Sequence, residues 1–245
     1  MKIFFVIATI IFIVFCFSFN FRQKKEYNNL YSASITDFRK ELVSLSNTIK
    51  NADLSSKEGL DKIRENIRIS RLKMKGLDFW FRYFEPNVYR RINGPLPVEW
   101  ENEVFEKFEP PYRREGAGLS LLEKYLENIL VPRKSLDSLI IYSIDATQAF
   151  RADSITKQLD SYHHFFLANR LYLLNLAALY TTGFECPDTN NIIPELRSMV
   201  KDVKEIYNTF DQTFPATPLS KDYLSLYDQA ISFELRQRLV QLTLN

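Results

Sequence analysis

Few side chains in this sequence are equipped for chemistry: the adjacent His163 and His164, the thiol of Cys186, and the charges Arg114, Glu123 and Arg170 set among apolar neighbours. A single imidazole can serve as a haem axial ligand or a general base. Neighbours on a helix point about 100° apart, so His163 and His164 cannot grip one metal ion from the same face. The favoured reading is a part-buried histidine satisfied by a hydrogen bond. Arg170 lies two turns beyond His163 on an apolar stretch, where a charge calls for a carboxylate. Glu123, among Leu121, Leu122 and Tyr125, is the expected partner. Glu99, Glu103 and Glu106 carry three carboxylates but lack the Asp/Asn loop spacing of a hard-cation site. Cys186 has no histidine near it in sequence and reads as a plain loop or core thiol. If the chain has a polar site, it is expected where Arg114, Glu123, His163, His164 and Arg170 come together, because polar groups among apolar helices are costly without a partner. No residue qualifies as catalytic, as cofactor-binding or as a metal ligand. CxxC, CxxCH, GxGxxG and P-loop motifs are all missing from the sequence, so covalent c-type haem attachment by the usual motif is excluded within this chain.

The elements that must position these residues are helical. The chain has 245 residues, 46% apolar and 25% charged, which suits one folded domain with a sizeable core. Six glycines and few turn dipeptides disfavour a barrel or sandwich of many short strands. The net charge of +2 and the lack of a basic stripe interleaved with aromatics argue against a nucleic-acid partner.

Residues 1–20 read as a signal peptide or membrane anchor: Lys2 precedes an apolar run from Ile3 to Phe19, slightly shorter than the roughly 20 residues that span a bilayer. Arg22, Lys24 and Lys25 follow it, which disagrees with simple export, since positive charge tends to stay on the cytoplasmic side. The expectation is export to the periplasm, with the inner membrane as partner if the leader is uncleaved. Loss of Cys16 with the leader would leave Cys186 alone and exclude an intramolecular disulfide.

Residues 27–245 read as a single all-α helical domain, a bundle of about six to eight helices with short connections. Ile35, Phe38, Leu42, Leu45 and Ile49 share one face of a first helix over Leu30 to Lys50. Ser55 and Glu58 form a capping-box signature that opens a long helix through Leu60, Ile63, Ile67, Leu77, Trp80 and Phe84 to Pro86. Its other face, Lys57, Arg64, Arg68, Arg71, Lys75 and Arg82, reads as solvated and interleaved with acids rather than as a docking surface. Pro97 suits the first turn of a helix carrying Trp100, Val104, Phe105 and Phe108. Further helices are expected from Gly116 to Pro132 and from Ser135 to Phe150. Tyr162 to Tyr180 is so apolar that it reads as the central buried helix, stopped by Gly183. Helices over Ile193 to Phe210 and Tyr223 to Leu242 complete the bundle.

Several segments together carry a resemblance: Phe79-Trp-Phe-Arg-Tyr-Phe-Glu-Pro86, Asn93-Gly-Pro-Leu-Pro97, Arg114-Glu-Gly-Ala-Gly-Leu119, and His164-Phe-Phe-Leu-Ala-Asn-Arg170 through Thr181-Thr-Gly-Phe-Glu-Cys-Pro187. They resemble the N-terminal helical region that precedes the di-haem portion of long cytochrome c peroxidase proteins of the Bacteroidetes type. The resemblance implies a non-catalytic domain that docks or positions a haem domain or a c-type cytochrome, with haem held by that partner and no cofactor in this chain. A fainter similarity links Gly118-Leu-Ser-Leu-Leu-Glu123 to the Gly-x-His-x-x-Glu turn of imelysin-like helical proteins, which implies a periplasmic metal- or haem-binding protein. Ser120 occupies the histidine position of that turn. A membrane-anchored interaction module without a redox link is the remaining alternative.

Overall fold

The computed structural model describes residues 2–94, 98–100, 112–114, 116–128, 130–182, 185–229 and 232, with side chains from Glu26 onward outside 98–100 and 112–114. Among the described residues the chain is all-α apart from one antiparallel pair of three-residue strands. Helix α1 (Lys2–Asn51) is continuous from the apolar run into the bundle. Its stripe Ile35, Phe38, Leu42, Leu45 and Ile49 is completely buried, as the three- and four-residue spacing predicts.

Helix α2 (Lys57–Phe84) is the central element, packed by α1 on one side and by later helices on the others. Its cap is Ser56, whose hydroxyl accepts from the Gly59 amide at 3.0 Å, one residue beyond the expected Ser55. Ser55 instead bonds the Asp53 carboxylate in the preceding turn. Tyr31 meets Phe84, Phe38 meets Phe81 and Ser44 meets Asn66, which sets α1 and α2 antiparallel. Pro86 ends α2 and opens the short α3 (Pro86–Ile92), because a proline that cannot continue one helix suits the first turn of the next.

The helix expected at Pro97 is corrected at its start. Val98–Trp100 forms β1, paired antiparallel with β2 (Tyr112–Arg114), Val98 opposite Arg114 and Trp100 opposite Tyr112. The rest of that expectation, residues 101–111, lies outside the described residues, as do Gly183 and residues 233–245.

Helix α4 (Gly118–Tyr125) is shorter than expected, and α5 (Arg133–Ala146) is followed by a 3-10 turn that buries Phe150 against Phe81 at 3.8 Å between ring centroids. A short α6 (Asp153–Leu159) leads into α7 (Tyr162–Asn175), which continues as a π turn through Leu176–Tyr180. The expectation that this stretch is the buried centre is also corrected. Only Phe165, Ala168, Tyr172 and Tyr180 of it are buried, and Tyr162, Phe166, Leu167, Leu173 and Leu174 are exposed. Helix α8 (Ile192–Thr213) runs parallel to α2, Glu195 beside Arg71 and Tyr207 beside Phe79. Residues 221–229 are helical too, with Tyr227 buried against Tyr207.

At the end of the bundle where α1 enters, Tyr27 sits inside an aromatic cluster. Its hydroxyl accepts from Trp80 Nε1 at 2.9 Å, and its ring lies edge-on to Phe165, Phe210 and Phe214. Phe165 and Phe210 stack at 3.6 Å. Edge-to-face aromatic pairs of this kind contribute about 0.5–1.5 kcal/mol each beyond the area they bury.

Candidate functional site

On α2, Arg64, Arg68, Arg71, Lys75, Asp78 and Arg82 follow one another at three- and four-residue steps, so one stripe of charge runs down the helix. Its upper part is solvated: Arg64 pairs with Asp61 and Arg68 with Glu65 in exposed salt bridges. The expected solvated face is wrong for the lower part. Arg71 is 0% exposed, Lys75 and Asp78 are buried, and Arg82 is mostly covered. The π turn, the loop over residues 185–188, α4 and the first turn of α8 close over this half of the stripe.

Arg71 is the hub. Its Nε meets Glu195 Oε1 at 2.5 Å and its Nη2 meets Glu195 Oε2 at 3.0 Å, a two-pronged pair that a flat guanidinium allows and an ammonium does not. Its Nη1 donates to Asn93 Oδ1 and Ser120 Oγ, both at 3.2 Å, and Nη2 donates to the Glu185 carbonyl at 2.7 Å. Glu123 Oε2 lies 3.8 Å from Nε. Lys75 Nζ lies 3.4 Å from Asp78, 3.8 Å from Glu185 and 3.9 Å from Glu195, and rests over the Tyr180 ring. Arg82 pairs with the Glu185 carboxylate and stacks over Tyr89 at 4.5 Å. Asn93 Nδ2 in turn donates to the Tyr89 hydroxyl at 3.1 Å.

Three cations therefore face four carboxylates in the interior. Burial works against the Arg71 charge, but Glu195, with help from Glu123, outweighs it and raises the guanidinium pKa. Burial likewise opposes the charge of Arg82, and Tyr89, Asp78, Tyr180 and Glu185 override it. Glu123 is the least compensated acid. Burial raises its pKa although Arg71 pulls it down, and its Oε2 has no hydrogen-bond partner. Burial also pushes the Cys186 thiol up to about 12, with Glu195 adding to the effect. That thiol is no nucleophile at neutral pH.

Gly118 positions α4 against this network. Its φ is +63°, and a Cβ there would lie 2.0 Å from the Ile92 carbonyl oxygen. Only glycine accepts both the left-handed backbone and the close approach. The turn it begins aims Ser120 and Glu123 at Arg71.

The buried network itself offers little room for a substrate. The cavity beside Lys75, Tyr180, Glu185, Cys186, Glu195 and Met199 measures about 20 Å³, the space of one water molecule. A shallow groove of about 290 Å³ lies outside Glu123, between Arg64, Arg68, Glu127 and Asp188. Among the described residues, no group of three or more His, Cys, Asp or Glu side chains is arranged to hold a metal ion.

Of the five residues expected to share a polar site, the four with described side chains do not converge. Glu123 joins the buried network, but its cation is Arg71 rather than Arg170, which is exposed on α7. His163 is exposed. His164 is half-buried, with its Nδ1 2.7 Å from the Tyr83 hydroxyl. The two imidazoles lie 5.8 Å apart at 74°. Arg114 is placed on β2 by its backbone pairing, and its side chain is outside the described residues. Sequence reasoning missed Arg71, Lys75, Asp78, Arg82, Glu185 and Glu195. A signal was present: Met74, Leu77, Phe79, Trp80 and Phe81 are apolar on nearly every side of α2, and a helix apolar all round is a buried one.

Neither protein-family models, nor curated proteins, nor solved structures yield a match to this chain. Among the described residues, no helix is long and apolar enough to cross a membrane, and the apolar run at the start of α1 lies outside the side chains so described.

Proposed function

We propose that this chain is an exported, non-catalytic helical domain that docks a partner protein, and that the partner is a haem domain or c-type cytochrome of a di-haem peroxidase system. The observation that carries the docking reading is the outward side of α7, where Leu167 and Leu174, seven residues apart, share one face and Leu173 is exposed beside them, Leu174 by 61%. Clustered exposed apolar side chains on one helix face mark interaction surfaces, whereas scattered ones do not. The buried charge network supports the same reading from the other side. Its groups are consumed in pairing one another around a one-water cavity, which holds the π turn and the residues 185–188 in place and leaves no space for a substrate.

The identity of the partner rests on the sequence resemblance, and the haem belongs to that partner. The export and the periplasmic or inner-membrane location rest on the apolar run of residues 3–19. The imelysin-like reading has one observation in its favour: Gly118, Ser120 and Glu123 do meet a buried polar centre. A guanidinium fills that centre and takes up the Glu195 carboxylate that a metal ion would need, so the docking reading is preferred.

The test is a binding titration of the purified chain against a purified di-haem peroxidase and its c-type donor. Saturable binding lost in Leu173→Glu/Leu174→Glu supports the proposal. Binding of free haem or a divalent metal with no protein partner overturns it.

A further inference from the structure

We infer that the end of the bundle around Tyr162 and Phe166 rests on a lipid bilayer surface, with the first part of α1 inserted below it. The inference rests on the anchored form of the leader and extends it to a face of the folded domain.

Helix α1 runs unbroken from Lys2 to Asn51, so the apolar run of residues 3–19 and the bundle share one continuous helix. Tyr27, the first core residue among those described, lies eight positions beyond Phe19, which is about 12 Å at 1.5 Å per residue. A bilayer's headgroup zone is roughly 5–8 Å deep on each side. The bundle end at Tyr27 therefore comes down almost onto the headgroups when residues 3–19 are in hydrocarbon. Between the two, Arg22, Lys24 and Lys25 fall at headgroup depth, where cationic side chains favour an anionic surface.

The side chains at that end fit the location. Asn28 on α1 donates to Asp160 at 2.8 Å, and Phe165 packs on Tyr27, so the start of α7 is level with the point where α1 enters the fold. From there Tyr162 and Phe166 turn outward, 51% and 41% exposed, with their rings edge-to-face at 6.5 Å. Phe166 is backed by Phe210, which fixes its direction. Tyrosine and other aromatic rings collect at membrane–water interfaces because one side is apolar and the other tolerates water. Leu173 and Leu174 are also exposed, but they lie about 16–18 Å further along α7 than Tyr162, above that surface, and remain open to a protein partner.

The test places a tryptophan at each level of α7 in the full 245-residue chain, as Tyr162→Trp and Leu174→Trp, reconstituted in vesicles of phosphatidylglycerol and phosphatidylethanolamine. Lipids brominated near the headgroup end of the acyl chain quench only an indole close to them, and the native Trp80 and Trp100 are subtracted with the unsubstituted chain. The expected result is severalfold stronger quenching of the indole introduced at position 162 than at 174. Equal quenching at both positions, quenching at neither, or a full chain that fails to sediment with the vesicles overturns the inference. No protein partner is present, so failure here leaves the docking reading to its own titration.

Discussion

Arg71 and Glu195, 124 residues apart in the chain, face one another as a two-pronged ion pair in the interior, Nε to Oε1 at 2.5 Å and Nη2 to Oε2 at 3.0 Å. The pair ties the middle of α2 to the first turn of α8, where the positive end of the helix dipole also favours a carboxylate. Arg71→Ala leaves Glu195 buried and short of its main cation. The expected loss is about 3–5 kcal/mol in urea unfolding. Arg71→Met combined with Glu195→Leu removes both charges and is expected to cost less than Arg71→Ala alone. A double variant as unstable as the sum of the singles would contradict a simple pair.

Gly118→Ala forces a left-handed residue to carry a Cβ and drives that atom toward the Ile92 carbonyl. The backbone penalty alone is about 1–2 kcal/mol, and the contact adds to it. The same substitution at a solvent-exposed helix glycine would stabilise, so a neutral result in thermal unfolding would show that α4 can begin differently.

Asp202 on α8 lies against Gly76 of α2, where a Cβ would come within 2.2 Å of its Oδ2. Burial raises its pKa to about 6 although Lys73 opposes this, and Glu205 raises it further. The folded state therefore holds this proton more tightly than the unfolded state, whose value is near 3.8. Its contribution to stability is greatest below about pH 4 and is lost as pH rises to about 6. Asp202→Asn is expected to remove that decline and to be the more stable chain at pH 7, read from urea midpoints across the range. An unchanged pH profile would place the titration elsewhere.

Cys186 is predicted to resist alkylation at pH 8 in the folded protein, because burial holds its thiol pKa near 12. In a Cys16→Ser background, one equivalent of thiol should react in denaturant and far less than one in native buffer. Rapid native labelling would mean that the loop over residues 185–188 opens readily.

The helices were legible where apolar spacing speaks for itself. The α1 stripe from Ile35 to Ile49 and the α2 run to Pro86 follow directly from periods of three and four. The site was not legible in the same way. Arg64 and Arg68 continue into Arg71, Lys75 and Arg82 with one spacing, and only the arrival of Glu195 and Glu185 from far along the chain buries the lower half. Periodicity sees a face but not what covers it. The π turn was equally hidden, since Tyr162 to Tyr180 is the most apolar internal stretch despite Asn169, Arg170 and Asn175 and invites a reading of full burial, whereas half of that surface is outward. Glu123 was singled out correctly as a costly carboxylate, but its partner was sought at Arg170 because the nearest apolar helix carried that charge.

The proposed function rests on two separate parts of the molecule, a buried charge network that holds structure and an exposed apolar side of α7 proposed to bind the partner. The most direct measurement compares partner affinity of Arg71→Met/Glu195→Leu with that of Leu173→Glu/Leu174→Glu, each first confirmed folded by circular dichroism. Near-normal affinity is expected for the network variant and at least tenfold weaker binding for the α7 variant, about 1.4 kcal/mol or more. The reverse pattern, with affinity lost on removing the Arg71–Glu195 pair and kept on charging α7, would contradict it.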